Sequence, residues 1–187
     1  SVGWSHGVTI DRDARQDPAD LPAMARAVVE DPSAMVMGAR DMGKSEIPGK
    51  SSFGNKFSNF WFLVETGIRL PDTQTGYRAW PLEPLSKIRT ISDRFGFEVE
   101  SIVKLAWNDT PFKVVPVSVR YDFPERVSHF DPLKDFSRVS LTNTYLVTVA
   151  LLWYWPKHLL FKGGLVRIVK AEFQRPEESS WRKALSI

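Results

Sequence analysis

A short apolar strand that ends on acids constrains this chain more than any other feature. Gly7-Val-Thr-Ile10 runs straight into Asp11-Arg-Asp13. A strand that delivers carboxylates from its C-terminal end predicts a place inside a parallel sheet, where ligands gather beyond the strand ends. A parallel sheet is buried on both faces and needs neighbouring strands. Only Ser1-Val-Gly-Trp-Ser-His6 precedes Gly7 in the sequence, so the chain is expected to be the C-terminal part of a larger domain.

The rest of the pattern agrees with an α/β fold. Asp17-Pro18-Ala19-Asp20 reads as a helix start, with Asp17 as N-cap, Pro18 in the first helical position and Asp20 in the first turn. Leu21, Met24, Ala25, Val28 and Val29 then repeat at helical spacing, and Asp31-Pro32 stops the helix. Ala34-Met-Val-Met37 predicts a short buried strand. Residues 38–52 are rich in Gly, Lys and Ser and read as a long loop. Residues 53–70 predict a helix ended by Pro71, with Phe53, Phe57, Phe60, Trp61, Val64 and Ile68 on its core side. Asp72-Thr-Gln-Thr-Gly-Tyr-Arg78 is a polar turn. A helix is expected over Phe97 to Trp107, and a strand over Phe112 to Tyr121, with Pro116 hinting at a sheet edge. Residues 122–135 read as a loop. Alternating strands and helices predict α/β.

With 43% hydrophobic and 25% charged residues, the chain is neither disordered nor collagenous. There is no cysteine, which excludes disulfides, thiolate metal sites and a cysteine nucleophile. The net charge of +3 is unevenly placed: residues 156–187 carry seven Lys/Arg and three Glu, a net of +4, which leaves −1 for the first 155. That distribution argues against a nucleic-acid binder. The basic tail follows the most apolar run, Tyr145 to Trp155. As a helix the run would cover about 16 Å, half of a bilayer core. It suits a helix lying at a membrane surface with Lys157, His158, Lys162 and Arg167 toward lipid headgroups, or a helix packed on its own domain.

Several clusters carry chemistry, each with a plainer alternative. Asp11 and Asp13 could aim at one hard divalent cation, Mg²⁺ or Mn²⁺, or be surface acids paired with Arg12 and Arg15. In the 72–78 turn, Gly76 would let backbone approach a ligand, and Arg78 could hold a phosphate bidentately; the alternative is a polar turn joining helix to strand. Glu98 and Glu100 open a helix, where the dipole favours acids. Arg126, Ser128 and His129 could grip a phosphate, although a lone histidine is more often structural. His6 and His158 are expected to be bland, and Phe57, Phe60 and Trp61 to be core.

In order, Thr9-Ile-Asp-Arg-Asp13, Asp17-Pro-Ala-Asp-Leu21, Gly38-Ala-Arg40, Asn55-Lys-Phe-Ser-Asn-Phe60, Asp72 to Arg78, Phe97-Glu-Val-Glu100, Val115-Pro-Val117 and Arg126-Val-Ser-His-Phe130 resemble family-2 glycosyltransferases of the GT-A fold. The nearest branch is similar to dolichyl- or polyprenyl-phosphate mannose and glucose synthases. The resemblance covers roughly residues 4–145. It implies a Rossmann-like GT-A fold incomplete at its N-terminus over residues 1–144, with a helical, basic tail over 145–187.

By this resemblance, Asp11 and Asp13 would bind the metal and the diphosphate of a GDP- or UDP-hexose. Arg40 and Lys50 would contact a phosphate from a mobile acceptor loop. Asp72, Gln74, Gly76 and Arg78 would form the acceptor-side motif. Arg126, Ser128 and His129 would belong to a late loop closing over the diphosphate. Asp72, Arg78 and Arg126 would then be catalytic. The family continues its paired acids with Gly-Gln-His, and here Ala14-Arg15-Gln16 stands there, so a cation replaces a metal-binding amide. No strand and Pro-x-Tyr-Asn-Glu-like turn of the base-binding half stands before Asp11.

The implied activity is metal-dependent, inverting hexose transfer to a lipid phosphate or a glycan, at the cytoplasmic face of a membrane. Asp72 would orient a phosphate acceptor or deprotonate a hydroxyl one. The alternative is a catalytically incomplete transferase fold that binds a membrane or partner. An aspartate-nucleophile phosphatase fits less well, because it wants Thr or Val where Arg15 stands.

Overall fold

The computed structural model describes residues 4–11, 16–40, 49–118, 132–162 and 167–168, with side chains at 49–53, 94–95, 132–136, 161–162 and 167–168 left aside. The elements are β1 (His6–Thr9), a 3₁₀ turn (Pro18–Asp20), α1 (Leu21–Glu30), β2 (Met35–Arg40), α2 (Gly49–Thr66), β3 (Ile68–Arg69), β4 (Arg78–Pro81), α3 (Leu82–Lys87), α4 (Arg94–Trp107), β5 (Phe112–Val117), α5 (Pro132–Val149), a π-helical stretch (Ala150–Tyr154), α6 (Trp155–Lys162) and β6 (Arg167–Ile168).

The fold is mixed α/β. The main sheet has the order β1-β4-β2-β5. β2 and β5 are parallel, and β4 runs antiparallel to both β1 and β2. β2 shows why the sequence makes a three-layer arrangement. Met35, Met37 and Ala39 face one side, with Phe62 of α2, Ile102, Val103, Leu105 and Ala106 of α4, and Leu146 of α5. Val36 faces the other side, with Met24 and Ala27 of α1 and with Tyr77, Ala79 and Val117. Period-two alternation thus feeds two cores. Gly38 is needed for the second, since a Cβ there would sit 2.8 Å from Val117 Cγ1.

Three expectations are corrected. First, β1 is an edge strand paired antiparallel with β4, not a strand inside a parallel sheet. The strand that the 72–78 turn leads into, Arg78–Pro81, runs in reverse and separates β1 from β2. Leu82 N donates to Ser5 O at 2.9 Å, and Gly7 pairs with Trp80 and Thr9 with Arg78. In that alternation His6 and Val8 turn their backbone groups to the outer edge. Second, the 38–52 loop is shorter: Gly38 to Arg40 extend β2 and Gly49 starts α2, with 41–48 outside the described residues. Third, α2 ends at Thr66, before Gly67 at φ 71, rather than at Pro71. Its core face is also rotated from the expected stripe. Phe57 and Phe60 are exposed and Trp61 half-buried, whereas Asn55, Phe62, Glu65 and Thr66 are buried.

β5 is the opposite edge strand, as Pro116 suggests. Residue 144 falls inside α5, and the helical run continues from there through the π stretch into α6. The π stretch has a local cause. Pro156 has no N–H and its ring crowds the carbonyl four residues back, and the wider turn, with Trp155 N donating to Ala150 O, makes room for it. Among the described residues no helix is long and apolar enough to cross a membrane.

Candidate functional site

The strand directions bring the polar motifs to one edge. β1 and β2 run the same way, and β4 runs the other way between them. The C-terminal ends of β1 and β2 therefore lie beside the start of β4. Asp11, Arg40 and the 72–78 turn meet there, in the position where α/β sheets gather ligands.

Asp11 sits in a cradle built by its own chain. Its carboxylate Oδ2 accepts from Gly76 N at 3.2 Å and from Gln16 Nε2 at 2.7 Å, and its N–H donates to Gln16 Oε1 at 3.0 Å. Thr9 Oγ1 donates to Gly76 O at 3.1 Å and accepts from Trp80 Nε1 at 3.0 Å, which fixes the turn against β1. A Cβ at Gly76 would overlap the Asp11 carboxylate. The glycine is required here by the acid, where the sequence suggested a ligand.

Asp72 is wholly buried and fully engaged. Arg40 grips it bidentately, Nε to Oδ2 at 2.6 Å and Nη2 to Oδ1 at 2.9 Å. Two backbone donors complete it: Arg40 N to Oδ2 at 3.3 Å and Gln74 N to Oδ1 at 3.1 Å. Such a planar fork is the strong geometry for a guanidinium and a carboxylate. The Arg40 side chain remains 17% exposed. α2 braces the same turn. Asn55 and Asn59 donate to Pro71 O, and Asn59 Oδ1 accepts from Thr73 N at 2.9 Å and Thr73 Oγ1 at 2.7 Å. These bonds explain why α2 buries asparagine and leaves two phenylalanines in solvent.

Arg78 lies on the same face of β4 as Trp80, over whose ring its guanidinium sits at 5.4 Å. Nη2 donates to Thr73 O at 3.0 Å, and Nη1 lies 3.3 Å from Glu98 Oε2. Nε and Nη1 have no hydrogen-bond partner among the described residues. Burial lowers the affinity of this guanidinium for its proton, and the charges of Glu98, Asp11 and Asp72 oppose that shift. Burial pushes the Glu98 carboxyl above its ordinary value; Arg78 works against this and Asp11 adds to it. Glu98 has no site role among the residues that the sequence singles out. Its signal was an acid on the first turns of a helix, which helix-dipole electrostatics explain equally well.

The structure thus brings together Asp11, Arg40, Asp72, Gly76, Arg78 and the exposed Gln74. Asp13, Arg126, Ser128 and His129 lie outside the described residues, and Lys50 is described only by its backbone, in α2. Oxygen donors such as Asp11 suit Mg²⁺ or Mn²⁺ in kind. In number they do not make a site by themselves: no group of three or more His, Asp or Glu among the described residues is placed to hold a metal. His6 is structural, with Nε2 3.0 Å from Ala34 O. His158 stacks on Tyr154 at 5.3 Å.

A second region bears on the tail. The last carbonyls of α2 are free at a helix C-terminus, and three aromatic donors take them: Trp155 Nε1 to Val64 O at 2.8 Å, Trp107 Nε1 to Glu65 O at 2.8 Å and Tyr154 OH to Thr66 O at 3.2 Å. Leu146, Ala150 and Tyr154 are buried in this seam, while Leu141, Leu151, Leu152, Trp153, Leu159 and Leu160 are exposed on the same helical run. One face packs on the domain, as one of the two readings of the sequence expects, and the other is an exposed apolar surface.

Compared with family models, with curated proteins and with solved structures, the chain matches none.

Proposed function

We propose that this chain forms the acceptor-side part of a family-2 glycosyltransferase of GT-A type, which transfers a hexose from a GDP- or UDP-sugar to a lipid phosphate at the cytoplasmic face of a membrane. The observation that carries the choice of acceptor is the Arg40–Asp72 fork. With both oxygens engaged by Arg40 and two backbone amides, Asp72 orients Arg40 and is not free to take a proton from a hydroxyl. A phosphate acceptor needs no base, because it is already anionic. The exposed part of Arg40 suits its approach. An acceptor oxygen attacks the anomeric carbon, the bond to the nucleoside diphosphate breaks, and its electrons leave with the diphosphate.

Asp11, with Asp13, would hold Mg²⁺ or Mn²⁺, whose bound charge would neutralise the leaving diphosphate. Arg126, Ser128, His129 and Lys50 would add phosphate contacts. A base-binding unit would add beside β1, where His6 and Val8 turn their backbone groups outward. The apolar outer face of the 141–160 run would rest on the membrane, with the basic residues that follow it toward anionic headgroups.

The test, made with the chain joined to a base-binding unit, is transfer of radiolabelled hexose from GDP-mannose or UDP-glucose to a short-chain polyprenyl phosphate, beside a glycan acceptor. Asp11→Asn should lower transfer by at least a hundredfold, with the phosphate the better acceptor. Unchanged turnover in Asp11→Asn, or transfer to the glycan alone, would overturn the proposal. A second reading, a non-catalytic module, draws on the Gln16 side chain already holding Asp11. A module would bind no nucleotide sugar in calorimetry with or without Mn²⁺.

A further inference from the structure

We infer that Glu98 reads the donor hexose, accepting hydrogen bonds from its hydroxyls, with Arg78 as the buried anchor behind it; this rests on the transferase reading above. Glu98 projects from the second turn of α4 toward the edge where Asp11 and the 72–78 turn meet. Its side chain is 44% exposed, while that of Arg78, 3.3 Å away, is 3% exposed. The carboxylate is therefore held from behind and open in front. Among the described residues Arg78 Nε has no hydrogen-bond partner, and Nη1 meets Glu98 Oε2 as an ion pair at 3.3 Å, so the anchor's charge is turned toward the carboxylate.

Charge decides which part of a nucleotide sugar belongs here. A carboxylate close enough to Asp11 for their charges to repel is a poor neighbour for a diphosphate. The neutral, hydroxyl-bearing part suits it, since a carboxylate accepts from adjacent hydroxyls and a guanidinium behind it supports that charge. The exposed ring of Phe97, tilted on Trp80 at 6.4 Å, borders it. Among the described residues no other acid at this edge is equally available: Asp72 is saturated by Arg40 and two backbone amides, and Asp11 is held by Gln16 and Gly76.

The experiment compares Glu98→Gln and Glu98→Asp with wild type, each joined to the base-binding unit proposed above, by calorimetry with GDP-mannose and UDP-glucose and with GDP and UDP alone. Glu98→Gln should weaken the nucleotide sugars about tenfold while the free diphosphates bind equally or more tightly, because a negative charge beside them is gone. Glu98→Asp should recover part of the sugar affinity. A residue that only props Arg78 would weaken sugar and diphosphate alike, and that outcome, or no change in either, overturns the inference alone. Absence of nucleotide-sugar binding by wild type overturns the transferase reading as well.

Discussion

Two buried carboxylates belong to the C-terminal end of helix α2 and the turn that follows it, and they are treated in opposite ways. Asp72, just beyond its C-terminal end in sequence, accepts four hydrogen bonds, two of them from a guanidinium. Glu65, in the last turn, is as deeply buried, but its Oε1 has no partner among the described residues. Burial alone pushes its carboxyl up to about 8. The lesson is that burial does not mark a site; the partners do. Asp72 has been given a cation and pinned within a turn that also meets Asp11 and Arg78. Glu65 lies at a seam of aromatic donors, all of which take backbone carbonyls and none of which takes its side chain.

Breaking the first arrangement has the largest expected effect. Arg40→Met would leave Asp72 buried without its cation and should cost about 3–5 kcal/mol, because removing one partner of a buried pair strands the other charge. Urea denaturation measures it. Adding Asp72→Leu should restore most of the loss, since the stranded charge is then gone. A single-variant loss below about 1 kcal/mol would show that the fork is ornamental to stability. Hexose transfer should fail in both variants, which separates the orienting role from the structural one.

Much of the frame was legible and the site only in part. Met35, Met37 and Val36 announce a strand buried on both faces, and the structure splits them between two cores. Asp17 and Pro18 announce a helix start, and Asp17 Oδ1 accepts from Ala19 N at 2.9 Å. The place of β4 was not legible: a strand could be read after the 72–78 turn, but four residues carry no signal that it runs in reverse between β1 and β2. The burial of Asp72 was equally hidden, since its partner lies 32 residues away. The face of α2 was misread for a physical reason. Hydrophobic periodicity favours Phe57 and Phe60 inward, but Asn55 is buried and Asn59 half-buried because they bond the turn that follows the helix, at Pro71 O and Thr73.

The second carboxylate gives a pH-dependent prediction of intermediate size. Glu65 holds its proton in the folded state up to about pH 8 but loses it near its ordinary value of 4.5 when unfolded. Between those values the folded state binds the extra proton, so this group's contribution to stability falls as pH rises and levels off above pH 8. Glu65→Gln cannot ionise. Relative to wild type it should gain on the order of 3 kcal/mol between pH 5 and pH 8, and the two proteins should be nearly equal at the lower pH. Thermal melts at both pH values read the difference. A gain that is independent of pH would mean that a partner satisfies the carboxylate after all.

The smallest stability effect is expected on the far side of the same seam, where the consequence for binding should be large. Leu152 and Leu160 are 77% and 79% exposed, so replacing both by serine removes little buried surface and should move stability by less than about 0.5 kcal/mol. Leu146, on the inner face of the same run, is fully buried, and Leu146→Ala should cost about 2–5 kcal/mol. Two exposed leucines taken out of water by a lipid surface are together worth roughly 3 kcal/mol, about a hundredfold in partitioning. Co-sedimentation with vesicles rich in phosphatidylglycerol should therefore lose most of its signal in Leu152→Ser with Leu160→Ser, while the melting curve stays put. Binding that survives the double variant but fails in high salt would assign attachment to the cations that follow Pro156 rather than to this face, and would leave the exposed leucines without a role.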